Sequence, residues 1–155
     1  MKACPFCRIV EGTAPASVIV RTEGAVAYFD IRPVNPGHTL VVPHRHVSAF
    51  TELSVDEVSS LTMAVQRVAA GLKRLSGCIG ITVSLADGEG AGQEVPHAHF
   101  HVIPRYHDDG FGWRRFGKLT DRESLESLAA LVRTNDPKEK TPNQALQPTA
   151  PSGRG

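Results

Sequence analysis

Apolar positions along this chain follow two different periods, and the switch between them divides it into strands, one long helix and loops. Val18-Ile19-Val20-Arg21 and Ala25-Val26-Ala27-Tyr28-Phe29 are short runs rich in β-branched and aromatic residues, on either side of the turn signal Thr22-Glu23-Gly24. They predict two short strands, the second closed by Asp30-Ile31. Thr39-Leu40-Val41-Val42-Pro43 predicts a third, entered through Arg32-Pro33-Val34-Asn35-Pro36-Gly37, a loop with turn chemistry throughout. The period then lengthens. Val58, Leu61, Val65, Val68, Leu72 and Leu75 recur at threes and fours, with Met63 and Ala69 widening the face, which predicts an amphipathic helix ending near Ser76-Gly77. Ser54 and Glu57 supply its capping box. Ile79 to Leu85 alternates again and predicts a strand, as does His97 to Val102, with Pro96 and Pro104 bracketing the latter. Thr120-Asp121-Arg122-Glu123 opens a short second helix through Leu125, Leu128, Leu131 and Val132.

The resulting expectation is an α+β domain, a mainly antiparallel sheet with one long helix on a face and a short C-terminal helix. Residues 1–134 form that domain, with a core at 4–116. Residues 135–155 hold only Ala145 and Leu146 as an apolar pair, which cannot bury enough surface to order a chain, so they are expected to be a disordered tail.

Composition narrows the class without naming a function. The chain has 155 residues, 41% hydrophobic and 21% charged, which is ordinary for one soluble domain. A net charge of +1 provides no field for nucleic acid or an anionic membrane, so a small anion would have to be caught locally. No signal-like apolar segment and no window of membrane-spanning length is present, and a cytoplasmic location is expected. Three cysteines, two of them as Cys4-x-x-Cys7, do not make a disulfide framework there.

The chemistry concentrates in Gly92-Gln93-Glu94-Val95-Pro96-His97-Ala98-His99-Phe100-His101-Val102-Ile103-Pro104-Arg105. A period of two puts His97, His99 and His101 on one face, about 6.6 Å apart, and Ala98, Phe100 and Val102 on the other. Three readings follow: a half-buried strand rich in histidine, a metal cluster, or nucleophilic and acid–base work on a phosphoryl group. Local spacing cannot separate the last two. Cys4-x-x-Cys7 has chelating spacing but needs two further ligands; thiol redox chemistry and plain surface thiols are its other readings. The glycines of Ala86-Asp87-Gly88-Glu89-Gly90-Ala91-Gly92 mimic a dinucleotide fingerprint, yet no helix follows, leaving a loop whose amides approach phosphate.

His-x-His-x-His preceded by Gly-Gln-x-Val and followed by Pro-Arg, together with Phe29 to Pro43 and His46, resembles the histidine triad (HIT) family of nucleotide hydrolases and transferases. The resemblance implies a homodimer with a continuous sheet. It implies His99 as the nucleophile that forms a nucleotidyl-histidine at the α-phosphate, His101 as a donor to a phosphate oxygen, and Gln93 as a contact to phosphate or leaving group. Asp30 is implied as ribose anchor, Ile31 as a platform under the base, and His38 as a supporting residue. In the zinc-containing branch it implies Cys4, Cys7, His46 and His97 as a tetrahedral structural zinc site, with no catalytic metal required. Asp87-Gly88 and Pro36-Gly37-His38 lean towards the dinucleoside polyphosphate (fragile-histidine-triad) branch. Ala86 stands where branches of the family show Asn or Gln, and Glu94 replaces a small hydroxyl residue of the phosphoramidase branch. The alternatives are therefore a nucleoside phosphoramidate hydrolase, a nucleotide-binding protein with little turnover, or a hydrolase using the triad as metal ligands. No membrane and no specific nucleic acid is expected as a partner.

Overall fold

In the computed structural model, residues 4–110 are described, together with Asp121, Glu123 and Ala129. The chain divides into two compact units, 1–112 and 113–155, and every element below belongs to the first. The helix expected beyond Thr120 and the tail from 135 lie largely outside the described residues, with Glu123 and Ala129 helical.

The elements are α1 (Pro5–Val10), β1 (Val18–Arg21), β2 (Ala25–Phe29), β3 (Thr39–Pro43), α2 (Val55–Leu72), β4 (Gly80–Leu85) and β5 (Phe100–Arg105). The strands form one antiparallel sheet in the order β1-β2-β3-β5-β4, so β5 inserts between β3 and β4. The α+β expectation holds. Alternation decides which side each residue faces. Ala25, Ala27, Val41 and Val102 pack against Leu61, Ala64, Val68 and Leu72 of α2, while Val26, Tyr28, Leu40 and Val42 face the other way onto Phe6 of α1. Each fully buried Val or Leu side chain among them contributes about 1.5–3 kcal/mol.

The capping box forms as expected: Ser54 Oγ accepts from the Glu57 amide at 3.3 Å, and the Ser54 amide donates to Glu57 Oε2 at 2.8 Å. The helix ends at Leu72, four residues before Ser76. Its last turn tightens into bonds from Arg74 to Gly71 and from Leu75 to Leu72, so the apolar rhythm outlasts the α-helical ladder. Met63 is 62% exposed and does not widen the packed face; Ala64 does.

The histidine strand shifts. Regular pairing starts at Phe100, not His97, because Ala98 leaves the ladder and donates its amide to Val47 O at 2.7 Å. Pro104 lies inside β5 instead of bracketing it. It is tolerated because β3 stops opposing β5 at Val102, so no β3 carbonyl awaits the missing N–H. Facing still alternates through the irregular part, and all three histidines stay on the α1 side.

Gly37 delivers the chain into β3. Its φ of +93° is open to glycine at little cost, and a Cβ there would sit 3.0 Å from Leu75 and 3.1 Å from Pro104. Asn35 fixes the same turn from below, donating from Nδ2 to Pro104 O at 2.9 Å and to Asp109 Oδ2 at 2.8 Å.

Candidate functional site

Two histidine clusters share the face of the sheet under α1. In the first, His97 is fully buried, and its Nε2–H donates to Pro43 O at 3.1 Å. That leaves Nδ1 as the bare nitrogen, 3.5 Å from Cys4 Sγ and 3.6 Å from Cys7 Sγ. His46 Nδ1 lies 3.3 Å from Cys7 Sγ, and the four ligand atoms all fall within 4.8 Å of one another. A tetrahedral zinc with ordinary bond lengths separates sulfur from nitrogen by about 3.5 Å, so the donor set and its spacing fit that ion. The carbonyl behind His97 is the outer partner that orients a ligating imidazole. His46 is carried by the loop after β3, which Arg45 clamps to α2 through two bonds to Glu57 at 2.7 and 2.8 Å. The same guanidinium pushes the Glu57 carboxyl down to about 2.

The second cluster contains His38, His99, His101 and Asp30. His99 Nδ1–H donates to His97 O at 2.7 Å, which leaves its Nε2 with a free lone pair. The Val34 amide donates to His38 Nδ1 at 3.2 Å, so the His38 proton sits on Nε2, 2.9 Å from His101 Nδ1. His101 must then carry its own proton on Nε2. Asp30 Oδ2 lies 3.6 Å from His38 Nδ1, beyond hydrogen-bond reach, and the Val34 contact decides the tautomer. Backbone partners assign His38 and His99, and His38 in turn assigns His101: a bare nitrogen on His99 and an N–H on His101, with ring centroids 4.8 Å apart. Burial pushes His38, His99 and His101 below the ordinary imidazole range, His101 down to about 4 with help from the facing His99 and His38. All three are neutral at pH 7.

His99 opens into a pocket of about 500 Å³. Its apolar walls come from Phe6, Ile9, Tyr28 and Leu40, and Asp30 stands at its edge. Phe6 meets His99 edge-on at 5.1 Å between centroids, which ties α1 to the triad. Ile31 is 93% exposed at this rim, an unusual position for an apolar side chain. Asp30 Oδ1 also accepts from the Arg32 amide at 2.8 Å, so it caps its own turn while facing the pocket.

A second, more open recess of about 810 Å³ lies beside Gln93, between Ser48 and the Gly-rich loop. Gln93 accepts from the Gly88 amide at 2.7 Å and donates to Ser48 O at 2.9 Å, clipping two loops together. The amides of Ala91, Gly92 and Gln93 are likewise bonded within the Gly-rich loop. These four N–H groups are spent on Gly88 O, Glu89 O and Gln93 Oε1 instead of opening as the anion cradle that the sequence suggested. Glu94 borders both cavities and pairs with Arg32 at 3.1 Å. Sequence reasoning missed this pair, the Arg45 clamp and the Phe6 contact. Glu94 stood out alone, but nothing local connects it to a residue 62 positions away.

The fold and paired histidine clusters define a HIT-type protein. The HIT domain model matches residues 11–108, and the chain belongs to that family, which includes hydrolases and nucleotide-binding proteins. It is 45% identical over 107 residues to an uncharacterized HIT-like protein of Methanocaldococcus jannaschii, covering 69% of this chain and 82% of that one. It is 40% identical over 91 residues to the bifunctional bis(5'-adenosyl)-triphosphatase/adenylylsulfatase of Arabidopsis thaliana, covering 59% and 51%. Among solved structures it resembles a zinc-bound histidine triad family protein of Mycobacterium smegmatis, with a TM-score of 0.67, 34% identity and coverage of 83% and 97%. Among the described residues, no helix is long and apolar enough to cross a membrane.

Proposed function

We propose that the protein is a nucleotide hydrolase or transferase acting at the α-phosphate of a nucleoside or dinucleoside polyphosphate. The observation that carries this is the tautomer chain. His99 presents a lone pair into the pocket while His101, fixed by His38, presents an N–H beside it.

His99 Nε2 attacks the α-phosphorus. The new N–P bond forms as the bond to the leaving group breaks, and water or another acceptor then displaces His99. The His101 N–H stabilises charge growing on a non-bridging oxygen. Burial keeps the nucleophile unprotonated at pH 7. The base occupies the apolar pocket with Ile31 covering it, and Asp30 holds the ribose hydroxyls. Gln93 acts by holding the loops around the leaving-group side. Cys4, Cys7, His46 and His97 would hold a zinc ion, which would supply a structural cross-link and no chemistry. The diadenosine triphosphate activity named for the Arabidopsis relative supports the polyphosphate reading.

A nucleoside phosphoramidate is the second reading, favoured by Asp87 and Glu89 in the recess, which suit an amine leaving group better than phosphate. We also propose a homodimer through β4. This strand is a sheet edge with Val83 exposed, and pairing with a second copy would satisfy its outer backbone groups.

Intact-mass measurement after brief mixing with diadenosine triphosphate tests the mechanism. An adenylyl adduct is expected on the wild type and absent from His99→Ala. An adduct that persists in the variant, or tight binding with neither adduct nor monophosphate product, overturns the reading.

A further inference from the structure

We infer that Arg32 is a specificity-determining residue for a leaving group that carries phosphate, and that Glu94 is its exchangeable counter-ion. The inference rests on the nucleotide site proposed above and adds what lies beyond the α-phosphate. If the nucleoside fills the pocket under α1 and His99 attacks from the sheet, the leaving group extends past Glu94 into the recess beside Gln93. That path is poor in positive charge. Among the described residues lining the two cavities, Arg32 is the sole permanent cation, against Asp30, Asp87, Glu89 and Glu94. A polyphosphate chain carrying several negative charges would meet a carboxylate at the junction.

The ion pair resolves the conflict. Glu94 turns towards Arg32 at 3.1 Å, and the two side chains are 79% and 82% exposed, so little holds them in this geometry besides each other. Exposed pairs of this kind are weak, and a guanidinium binds phosphate oxygens bidentately as well as it binds carboxylate. Arg32 exchanges Glu94 for the β-phosphate, the carboxylate swings into solvent, and the junction changes from neutral to matched. An amine leaving group needs no such exchange. The same pair therefore separates polyphosphate from phosphoramidate substrates.

The test is equilibrium binding of α,β-methylene ATP and of AMP, with no added divalent cation. Wild type, Arg32→Gln, Arg32→Lys and Glu94→Gln are compared, and thermal melts check that all four fold. Arg32→Gln is expected to weaken the methylene analogue about tenfold while AMP changes less than about twofold, the scale of one charge-assisted contact. Arg32→Lys keeps most of the preference, and Glu94→Gln increases it. The difference shrinks as salt rises, as screening requires. In turnover, Arg32→Gln lowers kcat/KM for diadenosine triphosphate and spares adenosine 5'-phosphoramidate. Equal losses for both ligands, or no loss for the analogue, overturn the inference. His99→Ala separates it from the catalytic reading: a variant without turnover that still shows the Arg32-dependent preference preserves this inference. A wild type that forms no adduct yet shows the preference sinks only the mechanism.

Discussion

The two histidine clusters start two residues apart on one chain and end with opposite chemistry. His97 and His99 each spend one ring nitrogen on a backbone carbonyl, Pro43 O and His97 O respectively. They differ in which nitrogen is spent and in what faces the other. For His97 the remaining Nδ1 meets two sulfurs, and His46 completes a set of four protein donors with no position left for a substrate. For His99 the remaining Nε2 meets a pocket. Among the described groups around it, a donor on His101 and the Asp30 carboxylate take the places that soft ligands take in the first cluster. In the reading proposed above, identical side chains serve as anchor or nucleophile according to whether the surroundings close the coordination sphere or leave it open.

Substitutions that separate anchor from nucleophile test this contrast. The largest effect is expected from His99→Ala, a loss of at least about 10³-fold in turnover with bound zinc unchanged, measured by product formation and metal analysis. Cys7→Ser should do the reverse. It removes bound zinc and lowers stability by about 4 kcal/mol where free zinc stands about 1,000-fold above its dissociation constant. Tm then falls on the order of 10 °C while adduct formation persists below the new transition. A Cys7→Ser protein that keeps its stability breaks the contrast.

His38→Ala is smaller and touches only the open cluster. Without its donor, His101 can adopt the wrong tautomer, and kcat should drop about tenfold at unchanged zinc content. The slightest effect is on pH dependence. His101 faces His38, His99, Asp30 and Glu94, and its folded-state value is pushed down to about 4 from 6.5. The unfolded chain takes up a proton there between pH 6.5 and 4 that the folded chain refuses, so stability falls as pH falls through that window. Chemical denaturation across the window should show a shallower slope in His101→Gln.

Much of this arrangement was readable in the chain because it depends on local pattern. The first three strands fall on the expected residues, the capping box forms, and the alternation of His97, His99 and His101 sets their common face even where the ladder is interrupted. Local pattern fails where hydrogen bonding and packing decide. Leu75 keeps the apolar rhythm after the helix has tightened into a turn, and Ala98 leaves the strand for Val47 O. It also cannot see contacts between distant segments. The Arg32–Glu94 pair and the His38–His101 bond join residues more than 60 positions apart, so neither has a periodic signature. The clustering of Cys4, Cys7, His46 and His97 was reachable through the family resemblance, since Cys4-x-x-Cys7 alone names half of that group.

The insertion of β5 between β3 and β4 has a consequence for how the molecule comes into being. A chain emerging in order completes the β1-β2-β3 meander and α2 while β4, 37 residues past the end of β3, still lacks its neighbour. The strand that joins them is last of the five, and it carries His101, with His99 and His97 just ahead of it. Until residues 97–105 dock, β3 and β4 each present an unsatisfied edge where a paired one will later stand, and neither cluster exists. Vectorial synthesis therefore couples assembly of the site to closure of the sheet. Reactive imidazoles reach their assigned partners only when the fold that restrains them is complete.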